Sequence, residues 1–452
     1  MHLAPRTLCT LALVAALAAC NGSNADQTAS TETPATAAAK DNKAAPTTDD
    51  SKAGGKTPAE LPQGLMVSLA EFITVEEGGK KKRKPGPARL EIITRQGNTW
   101  KTEVIKDEDS NVFHKAFAYT PPGGEPGIVT LGAMDAYVKI WRKKGGAWKS
   151  ETLWTKQFGG KLNRMRDAEV ADLYGDGKPD IAVATHDKGV VAVLRPQDGG
   201  KFEAVEIDKG TVGKEERVFV HEIEIGDVNG DKELEVYSTP SEPNRLDGSI
   251  QTGRVMRYVP KKGGAPEVAA DLGDRHAKEI LVTDMDGDGK DELYVAVEAK
   301  TKKEDGRTQL VEPVEIRRYT ADTDPKKGDV IATLQDRLCR FLTAGDVDGD
   351  GKREMVVAPF KSGLYLYRPT PSGTWKELLV DKESSGFEHA AILLDLDGDK
   401  KDEIYVASDN QGELRRYTWN GSGFDKEIIL TREDARAFIT WNLMPVSLDL
   451  VK

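Results

Sequence analysis

The sequence predicts an all-β fold, specifically a seven-bladed β-propeller of four-stranded antiparallel blades. Three observations carry this reading. A nine-residue acidic loop recurs at a period of about 50 residues. Each copy is followed by a short apolar run rich in Val, Ile and Tyr, and the residues between copies break into further strand-like runs bounded by Gly and Pro. Long segments with a 3.6-residue apolar period are absent, so helices are not expected.

The clearest loop is Asp284-Met-Asp-Gly-Asp-Gly-Lys-Asp-Glu292. Oxygen ligands stand at its first, third, fifth and ninth positions (Asp284, Asp286, Asp288, Glu292), and glycine at the fourth and sixth lets it curl around one ion. That is the ligand pattern of a hard, Ca²⁺-sized cation, at the spacing of the first half of an EF-hand loop. The following residues, Leu293 to Val297, read as a strand, so a helix–loop–helix is not expected. Asp346, Asp348, Asp350 and Glu354 repeat the loop, as do Asp395, Asp397, Asp399 and Glu403. Asp227, Asn229, Asp231 and Glu235 form a variant, and Asp172, Asp176 and Asp180 a weaker copy with Tyr174 at the third position. The expected cofactor is Ca²⁺, up to five ions.

These loops, each running into a Val/Tyr-rich strand, resemble the FG-GAP/VCBS-type repeats of calcium-bearing β-propellers, including the integrin α-subunit head. The resemblance covers roughly residues 110 to 430. It implies a repeat architecture and bound calcium, but not a function, because such folds host adhesion, sugar binding and lyase chemistry alike.

The N-terminal residues are read separately. Residues 1–19 carry Arg6 and an apolar run from Leu8 to Ala19, the pattern of a signal peptide. Leu17-Ala-Ala-Cys20 resembles a bacterial lipobox, which implies acylation of Cys20; Asn21 after it implies an outer-membrane destination. Residues 20–62 are Ala, Thr, Asp, Lys and Ser without apolar periodicity, as expected of a disordered tether. The propeller is then assigned to 63–452. Of three cysteines, only Cys339 remains within it, so bound ions rather than disulfides are the expected staples. The net charge of −11 argues against nucleic acid as a partner.

Six blades are traced in order from Phe113 to Leu430, starting with one whose acidic loop has become Thr120-Pro-Pro-Gly-Gly124. The residues before Phe113 supply only three strands (Leu65 to Val75, Ala88 to Thr94, Trp100 to Ile105). Ala437 to Val446 is expected to complete that first blade and close the ring.

Counting six residues back from the first loop position gives Arg166, His221, Lys278, Arg340 and His389. With Thr120 and Asn442 as equivalent markers, the other two blades give His114 and Arg436. All seven are Lys, Arg or His, at the start of what should be each innermost strand, which predicts a basic ring at one channel mouth. Such a ring is expected to bind an anionic glycan or a protein partner, with the arginines gripping carboxylate, sulfate or phosphate. The competing structural reading pairs the ring with its neighbours Asp167, Glu222, Glu279 and Glu388. The long segments Ser241–Gly253 and Lys300–Pro313 and the basic run Lys80–Lys84 should share this face. A second functional reading is a polysaccharide lyase on a uronate-containing polymer, with His114, His221, His276 or His389 and Tyr119 or Tyr237 as candidate acid–base groups. A third is a passive envelope scaffold. No Ser-His-Asp set, zinc motif or phosphate loop is present to suggest another chemistry.

Overall fold

The computed structural model describes residues 64–451 apart from 98, 135, 159–162, 187, 210–218 and 242–252. The expected signal peptide, Cys20, the tether and most of the Ser241–Gly253 loop lie outside the described residues.

Seven four-stranded antiparallel blades form the propeller, as the sequence predicts. Blade 3 is representative: Met165–Ala171 is innermost, followed outward by Asp180–Thr185, Val191–Pro196 and Phe202–Asp208. Blade 2 begins at Phe113–Tyr119, blade 4 at Phe219–Gly226, blade 5 at Ala277–Thr283, blade 6 at Cys339–Gly345 and blade 7 at Ala391–Leu394. In blade 1 the C-terminal strand Phe438–Val446 pairs antiparallel with Gly64–Glu77, which leads outward to Ala88–Gln96 and Thr99–Asp107. Closure by the chain's last strand leaves no sheet edge at the join.

The second strands read as unbroken apolar runs because both of their faces are covered. In Asp180–Thr185, Ile181 and Val183 pack towards blade 2, whereas Ala182 and Ala184 pack towards blade 4. Alternate residues of one strand thus feed two different interfaces. Among the described residues seven apolar clusters form, one for each blade-to-blade contact.

Two segments read as loops are strands. Lys80–Pro85 pairs with Phe72–Glu77, and Lys300–Glu304 pairs with Arg307–Glu312. Each hairpin turns on two residues with positive φ, Gly78-Gly79 and Asp305-Gly306, the geometry that favours a tight two-residue turn.

Candidate functional site

Two constellations stand at opposite ends of the innermost strands. At one end are the acidic loops. Their fourth and sixth positions are left-handed in all five copies, including Lys232 and Lys400 where glycine is missing. This curl aims backbone N–H groups at the first aspartate: Asp284 accepts from Gly287 at 2.7 Å and Gly289 at 2.9 Å, and Asp346 from Gly349 at 2.7 Å and Gly351 at 2.8 Å. The ninth residue reaches back to the second, with Glu292 accepting from the Met285 N–H at 3.0 Å and Glu354 from Val347 at 3.1 Å. Carboxylate oxygens converge to within 4.8 Å in three loops: Asp284, Asp286 and Glu292; Asp346, Asp348 and Glu354; and Asp395, Asp397 and Asp399. An all-oxygen set at this spacing fits a Ca²⁺-type ion. The loops of blades 3 and 4 do not gather three carboxylates in this way.

The loops also hold neighbouring blades together. Asp291 accepts from the Asp227 N–H at 2.7 Å, and Asp402 from the Asp346 N–H at 2.8 Å, so the eighth position of one loop clips the first position of the loop before it.

Sequence reasoning missed one feature of this rim. An arginine near the end of each third strand turns onto the loop acids. Arg195 donates to Asp176 at 2.9 Å, Arg257 to Glu235 at 2.8 Å, and Arg318 to Asp286 at 2.6 Å and Glu292 at 2.7 Å. Arg368 lies 2.8 Å from Asp348 and 3.0 Å from Glu354, and Arg416 pairs with Asp397 and Glu403. The signal was an Arg-Pro or Arg-Tyr pair near the end of the third strand in each of the five acidic-loop blades.

At the other end lies the channel mouth. The ring residues sit in β-bulges that interrupt pairing at the start of the innermost strand: His114 between Phe113 and Ala116, Arg166 between Met165 and Asp167, His221 between Val220 and Ile223, Lys278 between Ala277 and Glu279, and Arg340 between Cys339 and Leu342. Five consecutive blades therefore carry a buried basic group at this position.

Blades 7 and 1 depart from the expected ring. His389 is fully buried outside it, its Nε2 2.7 Å from the Ser384 hydroxyl and its Nδ1 2.7 Å from the Pro359 carbonyl. Its neighbour Glu388 enters the ring instead, 3.0 Å from Arg340 and 3.7 Å from Arg166. Arg436 is exposed in a 3₁₀ turn before the closing strand. Asn442, taken as that blade's marker, lies mid-strand opposite Ser68; the bulged residue of blade 1 is Trp441. Trp441 packs under the Arg166 guanidinium, 5.1 Å from ring centroid to Cζ, and edge-on to His114.

Arg166 and Arg340 are paired, as the structural reading required, by the expected Glu388 and, for Arg340, by Glu298 as well. Arg340 lies 3.0 Å from both Glu298 and Glu388, and Glu298 is also 2.8 Å from His276. Burial pushes Glu298 up, but Arg340 and His276 outweigh it and bring the group to about 2. Asp167 and Glu279 serve the fold, accepting the Ile223 and Leu342 N–H groups of neighbouring strands at 2.9 Å each.

Two ring members are not satisfied in this way. Lys278 is 5% exposed and has no hydrogen-bond or ion-pair partner among the described residues. Burial, then repulsion from Arg340, holds its amine well below the usual lysine range. His221 receives the Arg166 Nε–H on Nδ1 at 3.4 Å, while its buried Nε2 has no partner among the described residues. Burial and the nearby Lys278 keep this imidazole neutral.

The fold and the rim loops define the class: a seven-bladed β-propeller with acidic loops at one rim. Residues 172–238 match the family model described as an FG-GAP-like repeat. The chain is 28% identical over 275 residues to rhamnogalacturonan endolyase YesW of Bacillus subtilis (strain 168), covering 49% of this chain and 44% of that protein. The match thus spans less than half of the relative's length. Among solved structures, an Agrocybe aegerita lectin described for its specific recognition of non-reducing terminal N-acetylglucosamine is similar with a TM-score of 0.52 at 16% identity, covering 86% of this chain and 96% of the lectin. That likeness is one of fold.

Proposed function

We propose that this protein is a calcium-braced binding module that takes an anionic glycan at the basic channel mouth. The observation that supports this most directly is Lys278. A buried amine with no ion pair of its own is costly unless a ligand completes it, and the two acids that attract Lys278, Glu298 and Glu388, are already engaged by Arg340. His221 Nε2 offers a second unfilled position at the same level. Charge in such a recess attracts an acidic group at long range, and burial strengthens the contact once it forms.

Binding of polygalacturonate and alginate fragments to the full chain, followed by calorimetry at low and high salt, tests the proposal. Lys278→Met should weaken binding at least tenfold and leave the melting temperature unchanged or raised, because no internal partner is lost. Salt should weaken wild-type binding, since exposed charges are screened beyond about 8 Å at physiological ionic strength. Equal affinity in wild type and Lys278→Met would overturn the reading.

Lyase activity is a second reading, and Lys278 favours it too. An amine whose pKa is held well below the usual lysine range, beside an imidazole kept neutral by burial, is suited to remove a proton α to a carboxylate. Release of an unsaturated product absorbing in the ultraviolet, seen in wild type and lost in Lys278→Met, would decide for catalysis over binding.

A further inference from the structure

We propose that the third-strand arginines of blades 4 to 7 set the cation affinity of the rim loops: each holds the ninth-position carboxylate itself, and an ion enters by displacing the guanidinium. The proposal rests on the reading of these loops as calcium sites.

It follows from the occupancy of the carboxylate oxygens. In blade 5 one oxygen of Glu292 accepts the Met285 N–H at 3.0 Å and the Tyr294 hydroxyl at 3.1 Å. The other accepts from Arg318 at 2.7 Å, and the same guanidinium nitrogen donates to Asp286 at 2.6 Å. Two of the three converging acids are therefore tied to one arginine, and Glu292 has no oxygen left over. A Ca²⁺-type ion needs its ligand oxygens at about 2.3–2.6 Å and repels a cation bonded to the same atoms. Blade 7 is built alike: Glu403 accepts from Leu396 at 3.1 Å and Tyr405 at 2.9 Å on one oxygen, and pairs with Arg416 on the other.

The grip is graded. In blade 6, Val356 replaces the tyrosine, and the Nε and Nη2 groups of Arg368 lie at ion-pair distance from Glu354 and Asp348 without hydrogen-bond alignment. In blade 4, Arg257 is also anchored by Glu267 at 2.6 Å, the Asn229 amide donates to Glu235 at 2.6 Å, and Lys262 lies 2.7 Å from Asp231. The loop of blade 6 should therefore fill first, those of blades 5 and 7 next, and that of blade 4 last. At low calcium the arginines neutralise the rim and keep it folded.

Calcium titration of the full chain by calorimetry, with melting curves in chelator, tests this. Arg318→Met should melt lower than wild type in chelator and bind one ion at least tenfold more tightly, and adding Asp286→Ala should abolish that gain. Arg368→Met should change calcium binding less. If Arg318→Met folds only when calcium is added, the ion is replacing the guanidinium and the proposal stands. Weaker calcium binding in Arg318→Met would show that the arginine supports the ion, and unchanged affinity would show independence; either overturns displacement while leaving the calcium sites intact. Absence of calcium binding in both wild type and variant would overturn the calcium reading itself and the displacement with it.

Discussion

At the scale of single residues, His389 shows how a position chosen for charge serves geometry instead. It is buried, adopts a left-handed φ of 58°, and is clasped by Ser384 and the Pro359 carbonyl. That clasp turns Glu388 towards Arg340 and Arg166. Burial lowers the His389 pKa to about 4, against a weaker upward pull from the Pro359 carbonyl. The group is neutral when folded and titrates near 6.5 when unfolded. Its contribution is therefore complete above pH 6.5 and is lost as pH falls towards 4, by roughly 3 kcal/mol. His114 and His221, also held neutral by burial, act in the same direction. Urea unfolding at pH 6.5, 5 and 4 should show stability falling with acid, and His389→Asn, which tolerates the left-handed backbone, should flatten part of that slope. An identical slope in the variant would show that His389 is not a source of it.

Elements obey a simpler logic. Second strands are buried on both faces and carry the blade contacts, innermost strands mix buried and half-buried residues, and outer strands meet solvent. Leu443 on the closing strand is 2% exposed and packs between blades 7 and 1, while Ile428 on the outer strand of blade 7 is 49% exposed. Leu443→Ala should cost about 2–5 kcal/mol, and Ile428→Ala within about 0.5 kcal/mol, in equilibrium denaturation. Similar losses at both sites would contradict a ring closed by its last strand. The bulges are equally consistent: each frees a residue from pairing and turns it into the channel, which is how five consecutive blades deliver a basic group to one level.

At the scale of the whole molecule, the propeller separates its charges, with acid-rich loops at one rim and a buried basic ring at the opposite mouth. No helix among the described residues is long and apolar enough to cross a membrane. Attachment is proposed to rest on the lipobox-like Cys20. Cys20→Ala should abolish metabolic acyl labelling and release the protein from the membrane fraction. Unchanged labelling would remove Cys20 as the anchor.

Local chemistry determined the blades. Loop glycines, strand runs and the orphan strands at the two ends of the fold specified their number, order and closure before any contact was known. Asp305-Gly306 even marks the hairpin within Lys300–Pro313. Tertiary structure alone decided the composition of the mouth. A fixed count of six residues works where the innermost strand runs unbroken into its loop, as from Arg166 to Asp172. It fails in blade 7, whose strand begins late at Ala391, and in blade 1, where the count started from mid-strand Asn442 and missed Trp441. The rim arginines were hidden for a related reason. Arg416 stands 21 residues after Asp395 but Arg318 stands 34 after Asp284, because a hairpin is inserted between the strands that bring them together. Cross-strand contacts keep their register in space while their separation along the chain varies, so spacing finds the loops but not the arginines that close on them.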